Sequence, residues 1–152
     1  MERISYSEMP QGLYAALAGF QGYVDNSGLD HGLVTLIKMR VSYINSCAYC
    51  IDMHFKDGVA SGEDPKRLYS LPAWRETPYY TAQEQAVLAF AEEITYLPAN
   101  KNADDIHEEL NKYYSKAEIM YITMAIIAIN NWNRFVRSAG PKPGLHKGVA
   151  HK

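Results

Sequence analysis

An apolar run from Ile119 to Ile129, broken only by Thr123, begins just after Ser115-Lys116-Ala117-Glu118, and together these two segments leave the chain few folds to choose from. Serine followed three residues later by glutamate is a capping box, in which the hydroxyl accepts from a free first-turn amide and the carboxylate accepts from the serine amide. The run is 11 residues long, short of the roughly 18 needed to cross a bilayer, so it is expected to form a buried core helix. A second box, Thr81-Ala82-Gln83-Glu84, precedes Val87, Phe90, Ala91, Ile94 and Leu97 at helical spacing. Nowhere do apolar and polar residues alternate long enough to build a sheet. An all-α fold follows.

The remaining helices are read from the same periodicity. Leu13, Ala16, Leu17 and Phe20 belong to a segment from Glu8 to about Val24, with Pro10 tolerable in its first turn and Asp25-Asn26-Ser27-Gly28 closing it. Leu33, Leu36, Ile37, Val41 and Ile44 form a second amphipathic helix capped by Asp30. Ser46 is expected to cap a third helix that runs to about Ser61 and ends at Gly62. Asp64-Pro65 opens a short turn through Leu71, the stretch with Pro72, Trp74, Pro78, Tyr79 and Tyr80 is an ordered connection, and Ile106, Leu110 and Tyr113 mark one more helix. A length of 152 residues with 47% apolar content suits one core. The expectation is a single-domain bundle of six or seven helices over residues 1–140, followed by a mobile tail, 141–152, with little to bury.

Net charge narrows the function. Fifteen basic and 17 acidic residues leave the chain at −2, without the basic stripe of a dedicated nucleic-acid binder. The N-terminal Met-Glu-Arg-Ile-Ser-Tyr-Ser-Glu lacks the apolar stretch of a secretory signal. A cytoplasmic location, with no nucleic acid and no membrane as partner, is the default expectation.

Chemistry concentrates at the only two cysteines, Cys47 and Cys50. Two cysteines placed at random in a chain of this length fall three apart in about one arrangement in 77. On a helix starting near Cys47, the residues Cys47, Cys50 and His54 share one face. A free thiol near pKa 8.5 is mostly protonated at neutral pH; the free amides of a helix N-terminus favour the thiolate, and His54 can take or relay its proton. Once one sulfur is oxidised the other can displace it, so the trio holds a nucleophile, a resolving thiol and a proton acceptor. Two buried inert cysteines are one alternative. Zinc is another, but Cys47, Cys50 and His54 make only three ligands unless His31 or His107 adds a fourth. A thioredoxin fold would need a strand before the motif, where Leu33 to Ile44 reads as a helix.

The block Arg40-Val41-Ser42-Tyr43-Ile44-Asn45-Ser46-Cys47-Ala48-Tyr49-Cys50-Ile51-Asp52-Met53-His54 resembles the core signature of the AhpD-like alkylhydroperoxidase, or carboxymuconolactone decarboxylase, superfamily. The segment Leu71 to Thr81 and the block Ala128 to Phe135 are similar to that family's connection and last helix, so the resemblance covers roughly Leu29 to Gly140. It implies a helical subunit that assembles into dimers, trimers or hexamers and acts as a thiol-dependent peroxidase or disulfide reductase. It further implies that Cys50 attacks a hydroperoxide, Cys47 resolves the sulfenic acid and meets an external dithiol or thiol-protein reductant, and His54 relays the proton. One departure stands out: where such proteins usually carry a glutamate 12 residues before the first motif cysteine, this chain has Thr35, and Tyr43 stands where glutamine is frequent. Threonine cannot act as a carboxylate. Either another acid such as Glu92 takes over, or His54 works alone with water.

Neither a Gly-x-Gly-x-x-Gly turn nor a Walker loop is present, so no cofactor is assigned and electrons are expected to arrive through thiols; three ligands fall short of a closed site, so no metal is assigned either. Trp74, Tyr79 and Tyr80 are expected to pack a surface, and Asn130, Asn131, Trp132 and Arg134 to hydrogen-bond between helices. His31, His107, His146 and His151 receive no role. Two further readings stay open: a decarboxylase- or isomerase-like step on a small lactone or acid with the cysteines incidental, and a non-catalytic oligomeric redox sensor.

Overall fold

The computed structural model describes residues 2–151; Met1 and Lys152, the outermost positions of the expected domain and tail, lie outside the described residues. Among the described residues there are seven α-helices and no strand: α1 Leu13–Asp25, α2 His31–Ile44, α3 Ala48–Ala60, α4 Pro65–Tyr69, α5 Ala82–Tyr96, α6 Asp104–Leu110 and α7 Lys116–Ala139. Tyr6–Glu8 and Leu71–Glu76 form 3₁₀ turns. The fold is all-α. Among the described residues no helix is long and apolar enough to cross a membrane.

The caps form where the sequence places them. The Glu84 amide donates to Thr81 Oγ1 at 3.2 Å and the Thr81 amide to Glu84 Oε2 at 2.8 Å. At α7 the Glu118 amide donates to Ser115 Oγ at 3.3 Å and the Ser115 amide to Glu118 Oε2 at 2.7 Å. Asp30 caps α2 by accepting from the Leu33 amide at 2.8 Å. Two boundaries differ from expectation. The first helix begins at Leu13, because Gly12 takes a left-handed conformation (φ 83°) that separates it from the 3₁₀ turn and leaves Pro10 outside. Ser46 does not cap α3: it too is left-handed (φ 51°), and Cys47 is the N-cap residue.

Helix α2 lies between two apolar clusters. Leu33, Ile37 and Val41 face Val24 of α1, Val87 and Phe90 of α5, and Ile119, Ile122, Ile126 and Ile129 of α7. Leu36 and Met39, on its other side, pack with Leu68, Leu71, Trp74, Tyr80 and Leu88. A helix buried on both sides needs apolar residues beyond a single stripe, and α2 has them. Ile37 is fully buried, so truncating it to alanine is expected to cost roughly 2–5 kcal/mol. This rigidity fixes the ends of α2 and α3, which carry the candidate site.

Residues 141–151 form no helix and lie along α3. Their apolar side chains bury little: Leu145 is 79% and Val149 52% exposed. Polar bonds hold the segment instead. The Gly144 amide donates to Asp52 Oδ2 at 3.1 Å, the Val149 amide to Asp57 Oδ1 at 2.8 Å and the His151 amide to Ser61 Oγ at 3.0 Å.

Candidate active site

The motif begins at a three-residue connection between α2 and α3 that is tied to α7. Asn45 Nδ2 donates to Asn130 Oδ1 at 2.9 Å and to Asn133 Oδ1 at 3.0 Å, and Asn133 Nδ2 donates to Ser42 Oγ at 3.1 Å. Arg137 reaches the Asn45 carbonyl at 2.9 Å. Asn130 therefore joins helices, as expected of a buried polar group, and Asn133 is completely buried. This network explains how two asparagines are buried in α7: both of their amides find partners.

Cys47 and Cys50 are joined as a disulfide, with Cα atoms 5.4 Å apart, and both are 1% exposed. The Ile51 amide makes the first helical bond, to the Cys47 carbonyl at 2.9 Å, so the amides of Ala48, Tyr49 and Cys50 lie ahead of the backbone ladder, and the start of α3 favours negative charge. Cys50, one turn before His54 on α3, lines a cavity of about 550 Å³ with it; Cys47 is not among the lining residues. One wall of the cavity is aromatic: Tyr14 packs tilted against Trp132 and Trp132 edge-on against Phe135, at 5.5 and 5.8 Å between ring centroids. Thr35 and Lys38 of α2 and Asp57 of α3 also line it.

Electrostatics at His54 oppose protonation. Burial, then the charge of Lys38, pushes its pKa from the ordinary 6.5 to about 3, with Asp57 pulling the other way. No side chain among the described residues hydrogen-bonds its ring. Lys38 itself is held below the usual lysine value by burial, although Asp25 and Asp57 favour its charge. Asp57 lies three residues beyond His54. Burial would raise its carboxyl, but the bonds from His146 and the Val149 amide, with the charges of His146 and His54, outweigh that and keep it below the ordinary carboxylate value.

The acids proposed from sequence separate clearly. Thr35 donates its hydroxyl to the His31 carbonyl at 2.8 Å and lines the cavity without a charge. Glu92 does not reach His54. Its oxygens accept from Arg40 at 2.8 Å, from Trp74 Nε1 at 2.8 Å and from Arg75 at 2.7 Å, and it is absent from the cavity wall among the described residues. Trp74 and Tyr80 are buried core residues and Tyr79 packs beside them. Tyr43 also packs there, and burial raises its hydroxyl pKa.

Sequence reasoning missed Asp57, His146 and His151. His146 Nε2 lies 2.6 Å from Asp57 Oδ1. His151 lines the cavity and stacks on His31 with ring centroids 6.4 Å apart. His107, by contrast, packs edge-on against Phe90 in the core. The available signal was the Asp57 position, one turn from His54 on the same face; the tail histidines carry no periodicity to read. Among the described residues no group of three or more histidine, cysteine or acidic side chains is placed to hold a metal ion.

Residues 11–93 match the model of the Carboxymuconolactone decarboxylase family. The chain is 34% identical over 140 residues to the uncharacterized protein YdfG of Bacillus subtilis (strain 168), spanning 91% of this chain and 95% of that one. It is similar in structure to ATU0492 from Agrobacterium tumefaciens, a protein of unknown function described as a putative antioxidant defence protein AhpD: TM-score 0.90, 36% identity, 96% of this chain and all of that one. The debrominase Bmp8 shares the fold at TM-score 0.77 and 22% identity, over 88% of this chain and 72% of that one.

Proposed function

The chain belongs to the carboxymuconolactone decarboxylase family, and from that premise we propose that it is a thiol-dependent peroxidase whose working pair is Cys50 and Cys47. The observation that carries this reading is the cavity at the start of α3, where Cys50 and His54 share a wall and Cys47 is close enough to Cys50 to be bonded to it. The antioxidant description of ATU0492, at 36% identity, agrees with it.

In the first step the reduced Cys50 gives its proton to His54, and the thiolate attacks one oxygen of a hydroperoxide. The O–O bond breaks, Cys50 becomes a sulfenic acid, and the leaving alkoxide takes a proton to become an alcohol. In the second step the Cys47 sulfur displaces the sulfenic oxygen as water, forming the disulfide. In the third an external dithiol exchanges with that disulfide, becomes oxidised itself and returns both thiols. A low pKa for His54 in the disulfide state fits this cycle, because no thiolate is then beside it; a thiolate one turn away favours the imidazolium. The aromatic wall suits an organic hydroperoxide better than a small hydrated one.

The test is peroxide consumption by the reduced protein. Cys50→Ser is expected to abolish it. Cys47→Ser is expected to allow one turnover and leave a sulfenic acid that a 1,3-dione reagent traps by mass spectrometry. A protein that consumes no hydroperoxide when reduced sinks the proposal, and turnover of a lactone or acid surviving in the Cys47→Ser, Cys50→Ser double variant would favour decarboxylase-like chemistry instead.

A further inference from the structure

Peroxidase chemistry of this kind places a positive charge on His54 each time it takes the thiol proton, in a cavity that already holds Lys38. Some fixed negative group has to face that charge if the transfer is to be favourable. The candidates can be sorted by position. Glu92 is engaged by Arg40, Arg75 and Trp74 away from the cavity. Asp25 of α1 stands 3.8 Å from Lys38 and is half-exposed. Asp52, two residues before His54, accepts from Lys56 at 2.9 Å and from the Gly144 amide. Asp57 is on the cavity wall, one turn from His54, and its side chain is only 14% exposed.

Asp57 is also the point on which the C-terminal segment converges. His146 Nε2 and the Val149 amide both meet its Oδ1, at 2.6 and 2.8 Å, and His151 Nε2 lies 3.9 Å from its Oδ2. Two residues of the segment, Pro141 and His151, are themselves part of the cavity wall. The approach is close: a Cβ on Gly148 would stand 2.5 Å from the Lys56 carbonyl oxygen, so only glycine lets the chain pass α3 at this height. A segment that buries almost no apolar side chain is thus aimed, by polar bonds and a glycine contact, at the cavity acid one turn from His54 on its own helix; Glu2 and Asp25 also line the cavity but receive none of these bonds.

We propose that Asp57, clamped by His146 and the Val149 amide, is the positioning carboxylate that steadies protonated His54, so that residues 141–151 form part of the active site. The proposal rests on the thiol–peroxidase reading for its chemical purpose. Asp57 touches no reacting atom; it acts through His54, and His146 acts through Asp57. The charges that act most on His54 are Lys38 from α2, Asp57 from its own helix and His146 and His151 from the tail, and of these Asp57 alone favours the imidazolium. Glu2, Asp25 of α1 and His31 of α2 also line the cavity, while the α7 residues on the wall, Trp132, Phe135, Val136 and Ala139, bring no charge.

The experiment uses the full-length reduced protein and two readouts across about pH 5 to 9: the rate of Cys50 oxidation by cumene hydroperoxide and the rate of its alkylation by iodoacetamide, a probe that reports the thiolate without any peroxide. Asp57→Asn and His146→Ala are each expected to slow oxidation about tenfold near neutrality and to move the midpoint of the alkylation profile to higher pH. His146→Gln, whose amide still donates to the carboxylate, is expected to recover most of the loss, and Gly148→Val, which displaces the segment without touching the cavity, to follow His146→Ala. Unchanged rates and midpoints in Asp57→Asn overturn the proposal. So does a lowered melting temperature with an unmoved pH profile, the mark of a merely structural contact. If Asp57→Asn does not fold, the His146 pair and Gly148→Val decide by the same criteria. If the wild type consumes no peroxide, the parent reading fails on the first readout, while the alkylation midpoints still support or overturn the clamp.

Discussion

Glu92 and Asp57 are almost equally shielded from water, with side chains 15% and 14% exposed, and they are held in opposite ways. Glu92 sits between α2, α5 and the 3₁₀ turn at Leu71–Glu76, accepting from two arginines and the Trp74 indole. Asp57 sits on α3 at the cavity, held by one imidazole and one amide from a segment without regular structure. A carboxylate surrounded by two guanidinium groups has its charge balanced and its acceptor sites filled, so it joins elements rigidly and has nothing left to offer a reacting group. The Asp57 carboxylate has less of its charge answered and can favour a positive charge on His54. Burial of an acid therefore does not separate a structural role from a functional one; the identity of its partners does.

The largest effect that can break this comparison is at Glu92. Glu92→Ala leaves the Arg40 guanidinium, 12% exposed, and the Trp74 Nε1 donor without their acceptor. Chemical denaturation should show a loss of about 3–5 kcal/mol, with the pH dependence of Cys50 alkylation intact in whatever folds. A moved alkylation profile with little loss of stability would place Glu92 in the site after all.

The second prediction separates the two regions by pH. The folded chain holds His54 near 3 against an ordinary 6.5, so below about 6.5 the unfolded chain takes a proton that the folded chain refuses, and stability falls as the pH drops from there towards 3. Glu92 and Asp57 are depressed carboxylates; their contribution is fully present above their ordinary values of 4.5 and 3.8 and is lost only as the pH falls below them. Melting temperatures measured from neutrality downwards should therefore decline in two stages. His54→Phe should flatten the first and spare the second. A wild-type melting temperature constant between pH 6.5 and 4.5 would contradict the burial of a neutral His54.

What could be read from the chain alone follows the same division between local and distant forces. The capping boxes at Thr81 and Ser115 act within four residues, and both form. The grouping of Cys50 with His54 is a consequence of helical spacing, and it holds. The misplaced boundaries fell where the backbone turns left-handed, at Gly12 and Ser46; the glycine advertises that freedom, whereas a serine at φ 51° does not. The docking of the tail was illegible for a different reason. Its bonds to Asp57 and Ser61 join residues about 90 apart in sequence and involve side chains that are equally at home in water, so they leave no hydrophobic periodicity. Glu92 was the more conspicuous acid because it lies on a strongly patterned helix, and the same pattern is what delivers it to Arg40.

The smallest effect is the most discriminating. The contact between His146 and Asp57 is a single one whose imidazole keeps 23% of its surface in water, and one such contact contributes less than about 1 kcal/mol. His146→Ala should therefore lower the melting temperature by a few degrees at most, because the core clusters around α2 are untouched by it. Against the loss expected at Glu92, this makes the His146 variant nearly silent in stability while it remains disruptive in chemistry. A large destabilisation would mean that the C-terminal segment anchors α3 as the arginines anchor Glu92, and the two carboxylates would then be alike. If the melting temperature barely moves while the Cys50 profile shifts, a contact too weak to support the fold is governing the charge at His54, which is what separates a positioning carboxylate from a structural one.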